Sequence, residues 1–162
     1  MARRTTSASP RWIYSSSVPL VRLAVVREPE PPGYRRPVIT GPKDAYSIVR
    51  PLLESAATEH MVLVPLSTSH RVLGACICGI GSIDECSVSH ADILRHVLVL
   101  GGRAFLIAHN HPSGDPEPSP GDIAYTRRLS TVSEMLGLRL VDHLVVGADR
   151  YVSIRDRFPS LF

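Results

Sequence analysis

The residues whose types and spacing could do chemistry lie in the run from His109 to Asp122. Two histidines one residue apart, His109 and His111, precede a loop rich in Pro, Ser, Gly and Asp, and then come Ser119 and Asp122. Residues 103–108, just before them, form a short apolar run of the kind that makes a buried strand. Side chains two apart on a strand share a face, so His109 and His111 present their imidazoles in one direction. A carboxylate returned by the next element would complete a three-ligand divalent-metal site with a fourth position open to water. Asp122 can supply it if the loop 112–118 folds back. Pro112, Pro116 and Pro118 restrict that loop and lower the entropy cost of holding the ligands together.

A bound Zn²⁺ lowers the pKa of its water to about 7 and makes a nucleophile available at neutral pH. Such a water needs a proton acceptor. Glu59 stands out, at a strand edge with apolar neighbours that hold it near a buried sheet, whereas Glu85, Glu117 and Glu134 show no comparable constraint. Each feature also has a plainer reading. Ser119-x-x-Asp122 is a helix capping box, the histidines could be hydrogen-bonded loop residues, and Glu59 alone could be a solvated strand-edge residue. The co-occurrence of His-x-His, seven residues, Ser, two residues and Asp favours the site.

The elements that must position these residues read as follows. Ala45, Ile48, Val49, Leu52 and Leu53 recur at helical spacing from about residue 43, with Pro51 set to kink the helix and an end by Thr58. Residues 61–66 read as a buried strand and 71–79 as its antiparallel partner across the turn 67–70. Ser89 is an N-cap with Asp92 in the capping-box position, and Ile93, Leu94, Val97, Leu98 and Leu100 form the stripe of the helix that Gly101-Gly102 ends. Ser119 and Pro120 open a third helix with an inner face of Ala124, Leu129, Val132, Met135 and Leu136. Residues 138–141, 143–146 and 151–154 read as closing strands. The fold class is α/β, a mixed sheet flanked by helices.

The chain has 162 residues, 44% of them apolar and 20% charged, which suits one globular domain. Residues 1–40 read as a flexible Arg/Ser/Pro-rich tail with a candidate edge strand at 18–27 and an apolar island, Trp12-Ile13-Tyr14, expected to pack on the domain rather than to contact a partner. Residues 41–162 form the domain itself. The net charge of +3 selects no partner class, and Lys43 is the single lysine beside seventeen arginines, a compositional bias. Cys76, Cys78 and Cys86 are odd in number, and the first two are too close for an easy disulfide, which points to a reducing, cytoplasmic setting. No apolar run is long enough to span a membrane.

The string His-Asn-His-Pro-Ser-Gly-Asp-Pro-x-Pro-Ser-x-x-Asp at 109–122 resembles the motif of the JAMM/MPN metalloprotease superfamily and, more narrowly, its RadC branch. Thr58-Glu59-His60 before a strand, residues 102–108, and Asp142-His143-Leu144-Val145-Val146-Gly147 are also RadC-like. The resemblance implies a cytidine-deaminase-like three-layer fold around a zinc ion held by His109, His111 and Asp122. It implies Glu59 as general acid/base on the zinc water, Ser119 as a stabiliser of the tetrahedral intermediate, and hydrolysis of an amide or isopeptide bond in a protein or peptide. RadC proteins usually carry an N-terminal helix-hairpin-helix domain. Here an Arg-rich tail precedes the matching region, so DNA is the weaker partner. The family's Asp after the first strand is replaced by Leu66-Ser67-Thr68, which loosens a turn without touching the metal residues. The rival reading is a DNA-repair or mobile-element accessory module that keeps the metal for structure. His143 reads as a hydrogen-bonded core histidine, with a group behind the site or a substrate contact as the functional alternatives. A nucleobase deaminase is excluded, because there is neither Pro-Cys-x-x-Cys nor His-x-Glu.

Overall fold

A computed structural model describes residues 35–81 and 88–162, together with Val25 and Gly33. The expected edge strand at 18–27 (Val25 apart), the island at Trp12-Ile13-Tyr14, and Cys86 lie outside the described residues.

The first helix, α1 (Pro42–Leu53), starts where Gly41 is extended and Pro42 takes N1. Asp44 Oδ2 accepts from the Thr40 N–H at 2.8 Å. Ala45, Val49 and Leu53 recur every four residues and are buried, while Leu52 sits on the exposed rim. The helix stops at Leu53 rather than reaching residue 58. Pro51, which cannot donate to the preceding turn, lies in its last turn.

Strand β1 (His60–Leu66) pairs antiparallel on both sides, with β2 (Cys76–Ile80) and with β3 (Ala104–Asn110). The expected partner strand is shorter than 71–79. Arg71 and Val72 make isolated bridges to Val38 and Leu66, and residues 73–75 leave the ladder. Ser89 caps α2 (His90–Val99) through the Ala91 N–H. Asp92 does not close a capping box and instead pairs with Arg95 on the surface.

The third helix, α3 (Pro120–Met135), leads to β4 (Arg139–Val146), which runs parallel to β3. Strand β5 (Tyr151–Ser153) then pairs antiparallel with β4 and runs into the short helix α4 (Ile154–Arg157). The sheet order is β2-β1-β3-β4-β5. What reads in sequence as two strands, 138–141 and 143–146, is one strand with a bulge: Phe105 pairs with Leu140, Leu106 with Asp142, and Val141 is the extra residue. The bulge turns Leu140 and His143 to one face and Asp142 and Leu144 to the other.

The core lies on both faces of this sheet. Ala45, Val49 and Leu53 of α1 pack with Val62, Val64, Leu106 and Leu144. Ile93 and Val97 of α2 and Leu129 of α3 pack with Leu63, Phe105, Ile107 and Leu140. Coverage on both sides explains why β1 and β3 are apolar without alternation. The result is the expected three-layer α/β arrangement with a mixed sheet. The inner face of α3 differs from expectation. Thr126, Leu129, Ser130 and Ser133 are buried, whereas Met135 is 81% and Leu136 51% exposed. Among the described residues no helix is long and apolar enough to cross a membrane.

Candidate metal centre

His109 is the penultimate residue of β3, fully buried on the side that packs against α2 and α3. His111 follows just past the strand end, with its backbone N–H donating to the Val146 carbonyl at 3.0 Å. The chain then doubles back. The Gly114 N–H donates to the His111 carbonyl at 2.9 Å, and Gly114 takes φ of 82°, a conformation that favours glycine. The Gly114 carbonyl in turn accepts from the Ala148 N–H at 3.1 Å. Gly147 is packed so closely under this loop that a Cβ there would strike the Gly114 carbonyl and lie 2.8 Å from Pro116 Cδ. On the outside, Arg157 holds Glu117 at 2.6 Å.

The fold-back brings the first turn of α3 to the histidines. Asp122 Oδ1 lies 3.3 Å from His109 Nε2, and Oδ2 lies 3.7 Å from His111 Nε2. The two Nε2 atoms are 3.1 Å apart. Capping and metal binding turn out to be compatible uses of one carboxylate. Asp122 Oδ2 accepts from the Ser119 N–H and hydroxyl, both at 2.7 Å, while the Asp122 N–H donates to Ser119 Oγ at 3.1 Å. The box fixes the Asp122 rotamer and leaves Oδ1 facing His109.

These residues fit a metal ion. A carbonyl oxygen only accepts, so the 2.8 Å contact between His111 Nδ1 and the Asp115 carbonyl places the ring proton on Nδ1 and leaves the Nε2 lone pair for the centre. Nitrogens bound at Zn–N lengths in a tetrahedron stand about 3.3 Å apart, close to the separation seen. The charges agree. The Asp122 carboxylate beside His111 raises its pKa, the direction expected where an anion favours a cation. Burial pushes His109 down to about 4, so it is neutral and a competent ligand at pH 7. Burial works to raise the Asp122 carboxyl, but His111, His109 and the Ser119 donors outweigh it and hold it below the usual carboxylate range. His109, His111 and Asp122 are the one cluster of this kind among the described residues.

Glu59 immediately precedes β1. The register that sets Met61 opposite His109 carries it to the centre, with Oε1 3.9 Å from His109 Nε2. Asn110 fixes that approach. Its Oδ1 accepts from the His60 N–H at 2.8 Å and its Nδ2 donates to the Thr58 carbonyl at 3.1 Å, so it grips the backbone on both sides of Glu59. Sequence reasoning passed over Asn110, although alternation turns it to the face opposite the two histidines and a buried amide there must find backbone partners. His143, weighed as a core residue or a group behind the site, is fully buried with Nε2 2.8 Å from His109 Nδ1. Cys76 and Cys78 stand apart from the cluster, and Cys78 Sγ donates to the Met61 carbonyl.

The model of the RadC-like JAB domain matches residues 39–158. A protein of Carboxydothermus hydrogenoformans named UPF0758 protein is 40% identical over 114 residues, 70% of this chain and 50% of its own length. One of the same name in Desulfitobacterium hafniense is 38% identical over 122 residues, 75% of this chain and 54% of its own. Another in Methanosarcina mazei is 33% identical over 118 residues, 73% and 52% respectively. The chain therefore spans about half the length of these curated relatives. With a family match over most of its length, on the segment that builds the His109–His111–Asp122 cluster, the chain belongs to the RadC-like JAB domain family.

Proposed function

We propose that this domain is a zinc-dependent hydrolase that cleaves an amide or isopeptide bond in a protein or peptide. The observation that carries the reading is the convergence of two imidazole nitrogens and a carboxylate oxygen beside Glu59. A zinc ion held there supplies an acidified water and polarises the substrate carbonyl. Glu59 accepts the proton of the attacking water at Oε1 and returns it to the leaving nitrogen as the C–N bond breaks. Asn110 holds the segment that carries Glu59. Ser119 can donate to the oxyanion once its hydroxyl turns from Asp122 Oδ2. A cytoplasmic setting is supported by the spacing of Cys76 and Cys78, which are too close for an easy disulfide with each other.

The test is a digest of mixed peptides and isopeptides by the zinc-loaded protein, with new amino termini read by mass spectrometry. Cleavage by the wild type and its loss in Glu59→Gln, with zinc retained, is the expected result. A Glu59→Gln variant that keeps zinc and cleaves as well as the wild type contradicts it. The rival accessory role, with DNA as partner, predicts binding that weakens steeply with salt.

A further inference from the structure

The contact behind His109 does not end at His143. His143 Nδ1 lies 2.6 Å from Thr126 Oγ1, and Thr126 Oγ1 lies 2.6 Å from the Asp122 backbone carbonyl. A threonine hydroxyl has one proton, and a carbonyl can only accept. The Thr126 proton therefore goes to Asp122, and toward His143 the hydroxyl must act as acceptor. This places a proton on His143 Nδ1. His143 is fully buried, and among the described residues only Thr126 and His109 are hydrogen-bonded to its ring, so a second proton would leave a core cation with no carboxylate hydrogen-bonded to it. With one proton on Nδ1, His143 Nε2 is a lone pair, and the 2.8 Å contact requires His109 Nδ1 to be the donor. His109 Nε2 is then a lone pair as well, directed at His111 and Asp122.

We infer that Thr126 and His143 are positioning residues that fix the tautomer of His109. A hydrogen-bond chain, from His109 Nδ1–H to His143, from His143 Nδ1–H to Thr126, and from the Thr126 hydroxyl to the Asp122 carbonyl, holds the His109 Nε2 lone pair toward the metal position. The chain starts on one ligand and ends on the backbone of another. The helix turn that carries the Asp122 carboxylate thus also sets the ring state of a histidine on β3. Metal-binding imidazoles usually give their second N–H to a carbonyl, carboxylate or water. Here a neutral histidine takes that place, and a neutral histidine is a directional acceptor only while its own proton is held elsewhere. Thr126 does the holding. Removing the Thr126 hydroxyl frees His143 to move its proton to Nε2, which reverses His109 and puts N–H where a lone pair is needed.

The inference rests on reading His109, His111 and Asp122 as a metal centre, but its test does not need catalysis or bound metal. Long-range ¹H–¹⁵N correlation spectra of the metal-free full chain report which ring nitrogen carries the proton. The wild type should show His109 and His143 both protonated at Nδ1, and Thr126→Ser should keep that pattern. Thr126→Val should shift the His109 proton to Nε2 and weaken zinc binding, measured by chelator competition, by about 10- to 100-fold. A wild-type His109 protonated at Nε2, or a His143 carrying both protons, overturns the inference, and so does Thr126→Val with unchanged ring signals and zinc affinity. The wild-type spectrum decides even if Thr126→Val fails to fold. A wild type that binds no zinc sinks the metal reading instead, and the tautomer result still stands or falls separately.

Discussion

Two buried polar clusters meet at adjacent residues of β4, and they are built to opposite ends. Asp142 faces the α1 side. Its carboxylate accepts from the Ser153 hydroxyl at 2.8 and 3.0 Å, the His143 N–H at 2.7 Å and the Arg155 N–H at 3.2 Å. Every one of these partners is a donor from the protein itself, so the cluster is closed. His143 faces the other side and leads to His109, where two ring nitrogens and a carboxylate oxygen converge on one point. Burial of polar groups is common to both. What distinguishes a site is convergent lone pairs left over after internal hydrogen bonds are counted.

The largest contrast should come from deleting one member of each cluster. His109→Ala should weaken zinc binding by more than about 100-fold, the loss that removing a mere supporting group can give. Asp142→Asn should leave zinc affinity within about threefold and instead cost about 1–3 kcal/mol of stability, because its amide turns donors toward donors. Chelator competition and denaturant unfolding separate the two outcomes. Glu59→Gln should lower turnover by about 10²–10⁴-fold with metal content unchanged.

Acid should also tell the clusters apart. The His109 pKa is lowered in the folded chain from 6.5 to about 4 by burial, so the unfolded chain binds its proton first. Its contribution to the stability of the metal-free protein is complete above pH 6.5 and shrinks, by about 3 kcal/mol, as pH falls to 4. His143, lowered by burial, acts in the same direction. The raised pKa of His111 gives stability that is full below 6.5 and lost only as pH rises above it, and the lowered one of Asp122 gives stability that is full above 3.8 and lost only below it. Asp142, raised by burial, opposes the loss at the acidic end. Unfolding curves at pH 7 and pH 4.5 check the sign, and His109→Ala should flatten the difference. Gly147→Ala tests the loop that returns Asp122 to the histidines. A methyl pushed against the Gly114 carbonyl and Pro116 should cost about 1–3 kcal/mol and weaken zinc binding by moving the loop, which calorimetry on the two proteins would measure.

The site was largely legible in sequence because its ligands lie within one strand–loop–helix unit, where spacing and local chemistry determine the geometry. Ser119 and Pro120 announce the helix, and the helix delivers Asp122. The supporting residues were less legible. Asn110 acts on backbone groups some fifty residues away, and Thr126 acts on a histidine of another strand, so neither leaves a local pattern. The inner face of α3 was misread because hydroxyls replace hydrocarbon there. Thr126 and Ser133 donate back to carbonyls of their own helix, which satisfies their hydroxyl protons inside the core. Met135 and Leu136 then fall on the outside, although their types suggest the core. The bulge at Val141 is a tertiary feature that splits one strand into two apparent ones.

The central claim is that His109, His111 and Asp122 hold one divalent ion. A crystal structure of the zinc-loaded full chain, with anomalous data at the zinc edge, tests it most directly. The account predicts a single peak bound by Nε2 of both histidines and an Asp122 oxygen at about 2.0–2.2 Å, with Glu59 on the open side. A peak bound by other residues, or none between these three at saturating zinc, contradicts it.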